Sequence, residues 1–291
     1  VTIFRKLVSL FLVSPEKKNE IGFCTDLDEI LSNHGKVTLK VGGNKITLDL
    51  SNLHERRYAA CLSTHLRYPQ YDIDNLLMAK FVRKGDRILD GGANIGLTAL
   101  QFLHFGASFV ECVEALPWLS ERIREIDDTR ISVTEAALSR RSDGFVDIAI
   151  SKTHNQGSTY DTSVIAKFSH IFGDDIKFLT APTITIDSLA SGPFDIWKLD
   201  VEGAEIDVVN GALQSLKDCP PRAIFTEFWD ERVHEFASVV SASHPSVYRA
   251  GITKDNYQLK LLDMKEFEKN SEVFFPISPT YVFLRADCKE I

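Results

Sequence analysis

The stretch ILDGGANIGLTAL, Ile88–Leu100, decides the fold. Ile88 and Leu89 begin a short apolar strand that stops at Asp90, and a glycine-rich turn then restarts as a helix carrying Leu97 and Leu100. A strand, a glycine turn and a helix in that order open a doubly wound α/β sheet. In such a sheet the ligand sits beyond the carboxyl ends of the strands. Working outward, helices are expected at Ile95–Phe105 and Pro117–Ile126, and strands at Phe109–Glu114 and Ile131–Ala137. Further strands are expected at Phe145–Ile150, Thr183–Ile186, Phe194–Asp200, Ala223–Phe228 and Tyr281–Ala286. After Asp200, the residues Ile206, Val209, Leu213 and Leu216 would share one apolar face of a helix. Upstream, Lys36–Leu50 alternates on both sides of Gly42-Gly43-Asn44, as a hairpin does, and Asp74–Lys84 reads as a helix. There is no internal repeat and no linker rich in Pro, Gly and Ser. The expected organisation is one catalytic domain, residues 85–291, behind an N-terminal extension, residues 1–84.

Composition narrows the ligand. The chain has 291 residues, 44% hydrophobic and 25% charged, with a net charge of −8. An acidic protein repels a phosphate backbone, so a small-molecule or carbohydrate partner is expected, with no nucleic acid. Five cysteines, at 24, 61, 112, 219 and 288, are odd in number and scattered without a CxxC pair. They suggest neither a disulfide framework nor a zinc site, and a cytoplasmic setting is expected. Phe4–Ser14 sets a basic pair before an apolar run too short to span a bilayer. An amphipathic helix lying on the protein's own body is expected, with a membrane-surface anchor as the alternative and no stable insertion.

The turn itself reads Asp90-Gly91-Gly92-Ala93-Asn94-Ile95-Gly96, and the G-x-G-x-x-G spacing of a dinucleotide site is not met. An acidic strand end also opposes a pyrophosphate and suits a ligand with a positive end. S-adenosylmethionine, with a sulfonium and an ammonium, is such a ligand. Glu114 closes the next expected strand 22 residues after Gly92, where a carboxylate can accept hydrogen bonds from ribose hydroxyls. Ala115 follows it, and Glu135-Ala136 at the third strand end could read an adenine edge. In Asp195–Val209, DIWKLDVEGAEIDVV, Lys198 and Asp200 share one strand face and Glu202-Gly203 follows where the chain turns into its helix. These charges converge on the ligand end, either as chemistry or as a structural ion-pair network.

Together, DGGANIGLTAL, the strand end VEALP, AALS at Ala136–Ser139, TIDSL at Thr185–Leu189 and KLDVEGAE at Lys198–Glu205 resemble the FkbM family of S-adenosylmethionine-dependent methyltransferases. The resemblance runs from about Tyr71 to Phe228, and Tyr71-Asp72 stands where that family shows Tyr-Glu. It implies a class I methyltransferase (Rossmann-like) fold with a mostly parallel seven-stranded sheet. It also implies O-methylation of a hydroxyl on a sugar, lipid or secondary metabolite. On this reading Asp90, Gly92, Ala93, Asn94, Gly96, Glu114, Ala115, Glu135 and Ala136 bind the cofactor.

A hydroxyl is a weak nucleophile, so a base or a metal is also needed. Asp200, Glu202, Lys198 and Glu227 are the candidate catalytic residues, with His154 and His234 as candidate bases. Asp200, Glu202 and Glu227 are oxygen donors that a divalent cation such as Mg²⁺ could use, although their spacing does not require one. Trp197, Phe228 and Trp229 are expected to pack the core. Two alternatives stay open: a nucleotide-cofactor oxidoreductase or sugar epimerase, and a non-catalytic S-adenosylmethionine-binding protein. An amino-methyltransferase of DNA or RNA is disfavoured, because DVEG stands in place of an Asn/Asp-Pro-Pro-aromatic run.

Overall fold

The computed structural model describes residues 31–63, 68–151, 156–173, 175–229, 231–264, 272–274 and 279–288. Phe4–Ser14 and His154 lie outside these described residues. The chain begins with a hairpin, β1 (Lys36–Val41) and β2 (Asn44–Asp49), and two helices, α1 (Leu53–Ser63) and α2 (Pro69–Phe81). Alternating units follow as β3 (Arg87–Gly91), α3 (Leu97–His104), β4 (Phe109–Glu114), α4 (Pro117–Arg124) and β5 (Ile131–Glu135). Next come β6 (Ala137–Leu138), β7 (Phe145–Ala149), α5 (Thr162–Lys167), α6 (Ser169–Phe172) and β8 (Phe178–Ile184). The chain continues through β9 (Ile196–Leu199), α7 (Glu205–Asn210), α8 (Leu213–Asp218), β10 (Ala223–Glu227) and α9 (Arg232–Val240). The last strands are β11 (Ser246–Thr253), β12 (Leu259–Asp263), β13 (Val273–Phe274) and β14 (Thr280–Leu284).

The main sheet runs β12-β11-β14-β10-β9-β3-β4-β5, with β13 added against β11. Strands β5, β4, β3, β9 and β10 are mutually parallel, and β14 is antiparallel to both β10 and β11. This is the class I methyltransferase arrangement, widened from the expected seven strands to nine. The extra width comes from β12 and β13, which pair antiparallel with β11 in the segment after Arg232 that carried no readable pattern. The strand order reverses between β3 and β9, which opens the ligand crevice at their carboxyl ends. Strands β6, β8 and β7 form a separate small sheet.

Neighbouring residues of the central strands point to opposite faces. Ile88, Ile196 and Val282 join a core that also contains the hairpin and α2, through Leu39, Leu48, Leu77 and Phe81. Leu89, Trp197 and Phe283 join the other core, under α7 and α9. The extension therefore shares a hydrophobic core with the sheet. Helix α2 starts at Pro69, five residues before the expected Asp74, because proline suits the first helical turn, and it ends at Phe81. Its Ile73, Leu77, Met78 and Phe81 form the buried stripe.

The helix expected through Leu216 is broken instead into α7 and α8 at Gly211. A Cβ at Gly211 would stand 2.2 Å from the carbonyl oxygen of Ser139, so the chain crosses backbone against backbone there. Beyond the break Leu213 turns outward to 54% exposure, leaving the apolar face it was expected to share. Among the described residues no helix is long and apolar enough to cross a membrane.

One buried ion pair ties the start of β3 to that of β10. Arg222 reaches Asp86, and also donates to the Phe81 carbonyl at 3.0 Å, with both charged residues buried. Asp86→Ala would leave the guanidinium in the interior without its counter-charge, a loss of about 3–5 kcal/mol. Denaturant unfolding should show that drop, and a change below about 1 kcal/mol would mean the pair is dispensable.

Candidate active site

The glycine turn is fixed by backbone contacts. Gly92 has φ of 77°, and a Cβ there would stand 2.0 Å from the Asp200 carbonyl oxygen, so the turns after β3 and β9 meet directly. Gly92 and Ala93 donate to the Val113 carbonyl at 2.9 and 3.2 Å, which holds the turn against the end of β4. Asn94, at φ of 53°, donates its backbone N–H to Glu114 Oε2 at 2.8 Å, and Leu116 donates to Oε1 at 2.9 Å. Burial lifts the Glu114 carboxyl to about 7 despite these amides. Each of its oxygens keeps a lone pair for a further donor.

Below the turn Asp90 is fully buried, with no hydrogen-bond partner for either carboxylate oxygen, and burial raises it to about 7. On the same face Lys198 is 8% exposed and donates to Asp200 Oδ2 at 3.0 Å. Burial alone would lower this ammonium, but Asp200, Asp74, Asp90 and Glu227 hold it well above the ordinary lysine value. Glu202, at φ of 53°, accepts from the Gly157 amide at 3.1 Å, and its carbonyl accepts from the Thr159 hydroxyl at 2.7 Å. Burial, then Asp200 and Glu205, raise its carboxyl to about 8. Glu227 accepts from the Gln70 side chain at 2.6 Å and is likewise pushed well up, chiefly by burial.

Two cavities meet at this cluster. The first, with about 1150 Å³ of empty space including its open mouth, is lined by Gly92–Ile95, Glu114–Leu116, Ala136–Leu138 and Lys198. The second, with about 1410 Å³, is lined by Tyr68, Lys167, Phe168, Glu227, Phe228 and Trp229 among others. Tyr58, Asp74, Gln156, Asp200 and Glu202 belong to both walls.

Most of the expected site residues are thereby brought together, with several corrections. Glu135 does not face the first cavity: it is exposed and pairs with Arg124 at 3.0 Å, since the strand alternation that buries Ala136 turns Glu135 outward. Gly96 caps α3 behind the lining, against Ile123 and Ile126. His234 lies exposed on α9, away from both cavities. Trp197 and Phe228 are core residues as expected, but Trp229 is 44% exposed and lines the second cavity, edge-to-face with Phe168 at 6.0 Å. Among the described residues no three His, Cys, Asp or Glu side chains gather as a metal site. Asp200 faces the Lys198 ammonium instead of a shared cation position.

Sequence reasoning missed Asp74 and Tyr58, which come from the extension. Asp74 carried one readable signal: on α2 it lies three and four residues before Leu77 and Met78, an acid beside the apolar stripe.

The Methyltransferase FkbM domain model matches residues 90–249, more than half of the chain. The chain belongs to the FkbM methyltransferase family. Solved structures similar to this FkbM chain include a methyltransferase FkbM from Methylobacillus flagellatus, at 12% identity and TM-score 0.43. The match covers 89% of this chain and 58% of that one, so the present chain spans little more than half of that relative. A TehB-like SAM-dependent methyltransferase from Corynebacterium glutamicum aligns at 12% identity and TM-score 0.41, over 80% of this chain and 96% of that one. A dimethyladenosine transferase from Plasmodium falciparum aligns at 10% identity and TM-score 0.40, over 75% and 62%. No curated protein matches the sequence significantly.

S-adenosylmethionine, which the family implies, fits the first cavity. Asn94 lines it with a buried, unpartnered Oδ1, and carboxylates outnumber the single Lys198 charge around it; Asp90, expected to bind the cofactor, is instead fully buried behind the lining and acts on the cavity only through its charge. That excess of negative charge suits a cationic ligand and opposes a pyrophosphate.

Glu205 reports on this electrostatic load without lining the first cavity. It is 3% exposed, accepts from the Gly203 amide at 3.1 Å, and is raised by burial from 4.5 to about 7. A carboxyl whose folded value lies above its unfolded one adds stability at low pH that is lost as pH rises, here between about 4.5 and 7. The slope is at most about 1.4 kcal/mol per pH unit. Glu205→Gln should flatten the fall in melting temperature over that range, and an unchanged slope would place the titration elsewhere.

Proposed function

We propose that this FkbM-family chain is an S-adenosylmethionine-dependent methyltransferase that methylates a hydroxyl on a small molecule or carbohydrate. The observation that carries this reading is the junction of the two cavities at Asp74, Asp200 and Glu202. A cofactor in the first cavity and an acceptor in the second would meet across oxygen groups able to orient and deprotonate a hydroxyl.

When bound, S-adenosylmethionine supplies an electrophilic methyl carbon. Gly92, Asn94, Glu114 and Ala136 would hold it, with Glu114 accepting from ribose hydroxyls. The Lys198–Asp200 pair fixes the floor of the junction and aims one carboxylate at the acceptor. Glu202, raised to about 8, is protonated near neutrality and can donate a hydrogen bond to an acceptor oxygen, and Glu227, pushed up chiefly by burial, stands beside it in the second cavity wall. Trp229 and Phe168 offer ring faces against which a sugar or other compact acceptor can lie. The acidic wall that suits a sulfonium works against the oxidoreductase or epimerase alternative, which needs a pyrophosphate site.

S-adenosylmethionine and S-adenosylhomocysteine should raise the melting temperature, while NAD(H) should not, because only a ligand of the native state shifts it by mass action. With methyl-labelled S-adenosylmethionine and a panel of sugars, lipids and hydroxylated metabolites, label should enter as an O-methyl ether. Transfer only to amines or carbon, or stabilisation by NADH alone, would overturn the reading.

Asp200→Asn should keep S-adenosylmethionine affinity within about threefold while methyl transfer falls by roughly 10². If stability falls instead and activity merely tracks the folded fraction, Asp200 is only a structural partner of Lys198.

A further inference from the structure

Asp74 lies on α2, outside the matched residues 90–249, yet it stands in the wall of both cavities. The charged and titratable groups around it are His54 and Tyr58 from α1, Asp90 from β3, Lys198 and Asp200 from the end of β9, Glu202, and Glu227 from β10. Three carboxylates face both cavities, and they are not equivalent. Asp200 is committed to Lys198 at 3.0 Å. Glu202 is held by the Gly157 amide and, at about 8, carries its proton near neutrality. Asp74 has no hydrogen-bond donor on its carboxylate among the described residues, and burial raises it only to about 6. It is the junction carboxylate that is ionised near neutrality and feels the Lys198 charge without accepting a hydrogen bond.

Resting on the methyltransferase reading, we infer that Asp74 is the base of the reaction, and that its charge offsets the cofactor's sulfonium until the methyl group moves. The acceptor's O–H bond breaks and its proton passes to the Asp74 carboxylate. The freed oxygen electron pair forms the new O–C bond to the methyl carbon, and the C–S bonding pair returns to sulfur as a neutral thioether. The cation and the anion vanish together, so the net charge of the site is unchanged by the transfer. A buried site gains from this, because no unbalanced charge is created where solvent cannot screen it. The proton then leaves Asp74 for solvent as the product departs.

The linkage is measurable without an acceptor. A sulfonium beside Asp74 lowers its proton affinity, so S-adenosylmethionine binding is strong above about pH 6 and weakens as pH falls through that value. S-adenosylhomocysteine lacks the sulfonium and should be nearly insensitive in the same window. Asp90 and Glu114, raised to about 7, and Glu202, raised to about 8, also sense a sulfonium, so the comparison with Asp74→Asn, not the pH window, assigns the linkage to Asp74.

The experiment is calorimetric titration of the full chain with S-adenosylmethionine and with S-adenosylhomocysteine from about pH 5 to 7, on wild type and Asp74→Asn. In wild type the affinity ratio of the two should fall up to tenfold per pH unit below about 6, the limit for one linked proton. In Asp74→Asn it should be flat within about twofold. Asp74→Glu, which keeps a carboxylate, should retain the pH dependence with a displaced midpoint, and it serves if Asp74→Asn does not fold. An equal pH dependence in wild type and Asp74→Asn, with both ligands bound, overturns the inference and leaves the methyltransferase reading standing. Absence of binding by either ligand to wild type overturns both.

Discussion

A lysine ammonium at 8% exposure is the constraint around which the ligand end of this fold is organised. Lys198 can remain charged there only because carboxylates surround it. Asp90 arrives from β3, Asp200 follows Lys198 on its own chain, Glu227 ends β10 and Asp74 comes down from α2. Three of these positions are strand ends that the parallel order of β3, β9 and β10 sets side by side. The close approach of Gly92 to the Asp200 carbonyl then clamps the first two turns together. Sheet order, glycine turn and charge cluster are thus consequences of one packing problem, and its solution leaves an excess of negative charge facing two cavities.

How much of this was legible in the sequence follows from where each interaction is made. The glycine turn, Glu114 and the KLDVEGAE segment were readable because their geometry is local: a strand end, a turn and a helix start occupy consecutive residues. The break at Gly211 was not, because its cause is the Ser139 backbone, which lies far away in the chain. Glu135 misled for a related reason, since spacing marks the end of a strand but not which face a residue takes, and Arg124 supplies a competing partner. Strands β11, β12 and β13 pair mainly with one another and with β14 at the sheet edge, so no motif marks them. Trp229, expected in the core, lies instead just past the β10 strand end, where the sheet gives way to the cavity, a position the sequence alone does not mark.

The extension illustrates how a site can be completed by residues that no motif contains. Its hairpin and helices share a core with α3 and the central strands, so α2 is held rigidly over the crevice. The Asp72 carboxylate accepts from the Tyr68 amide at 3.0 Å at the start of α2 and from the Tyr257 hydroxyl at 2.6 Å, tying that end to the loop between β11 and β12. Tyr58 on α1 accepts from Gln156 at 3.1 Å, which joins the extension to the loop that also holds Glu202. An extension anchored through both α1 and α2 is a wall of the site, whatever its distance from the glycine turn in sequence.

The two cavities are built by different means, and on the proposed function this bears on how such a protein can change its acceptor while keeping its cofactor. The first is shaped mainly by backbone: the Gly92 turn, the amides of Asn94 and Leu116 on Glu114, and the Ala136 amide on the Glu114 carbonyl at 3.2 Å. Few substitutions there are neutral, because the chain path itself is the binding surface. The second is shaped by side chains from α1, α5, α6 and the loop after β10, among them Arg57, Lys167, Phe168 and Trp229. Such side chains can be exchanged without moving the sheet, since the main cores lie under other residues. Substitution at the second cavity should therefore redirect acceptor choice at little cost to folding. That separation is why the backbone-built cavity is written in motifs and the side-chain-built one is not.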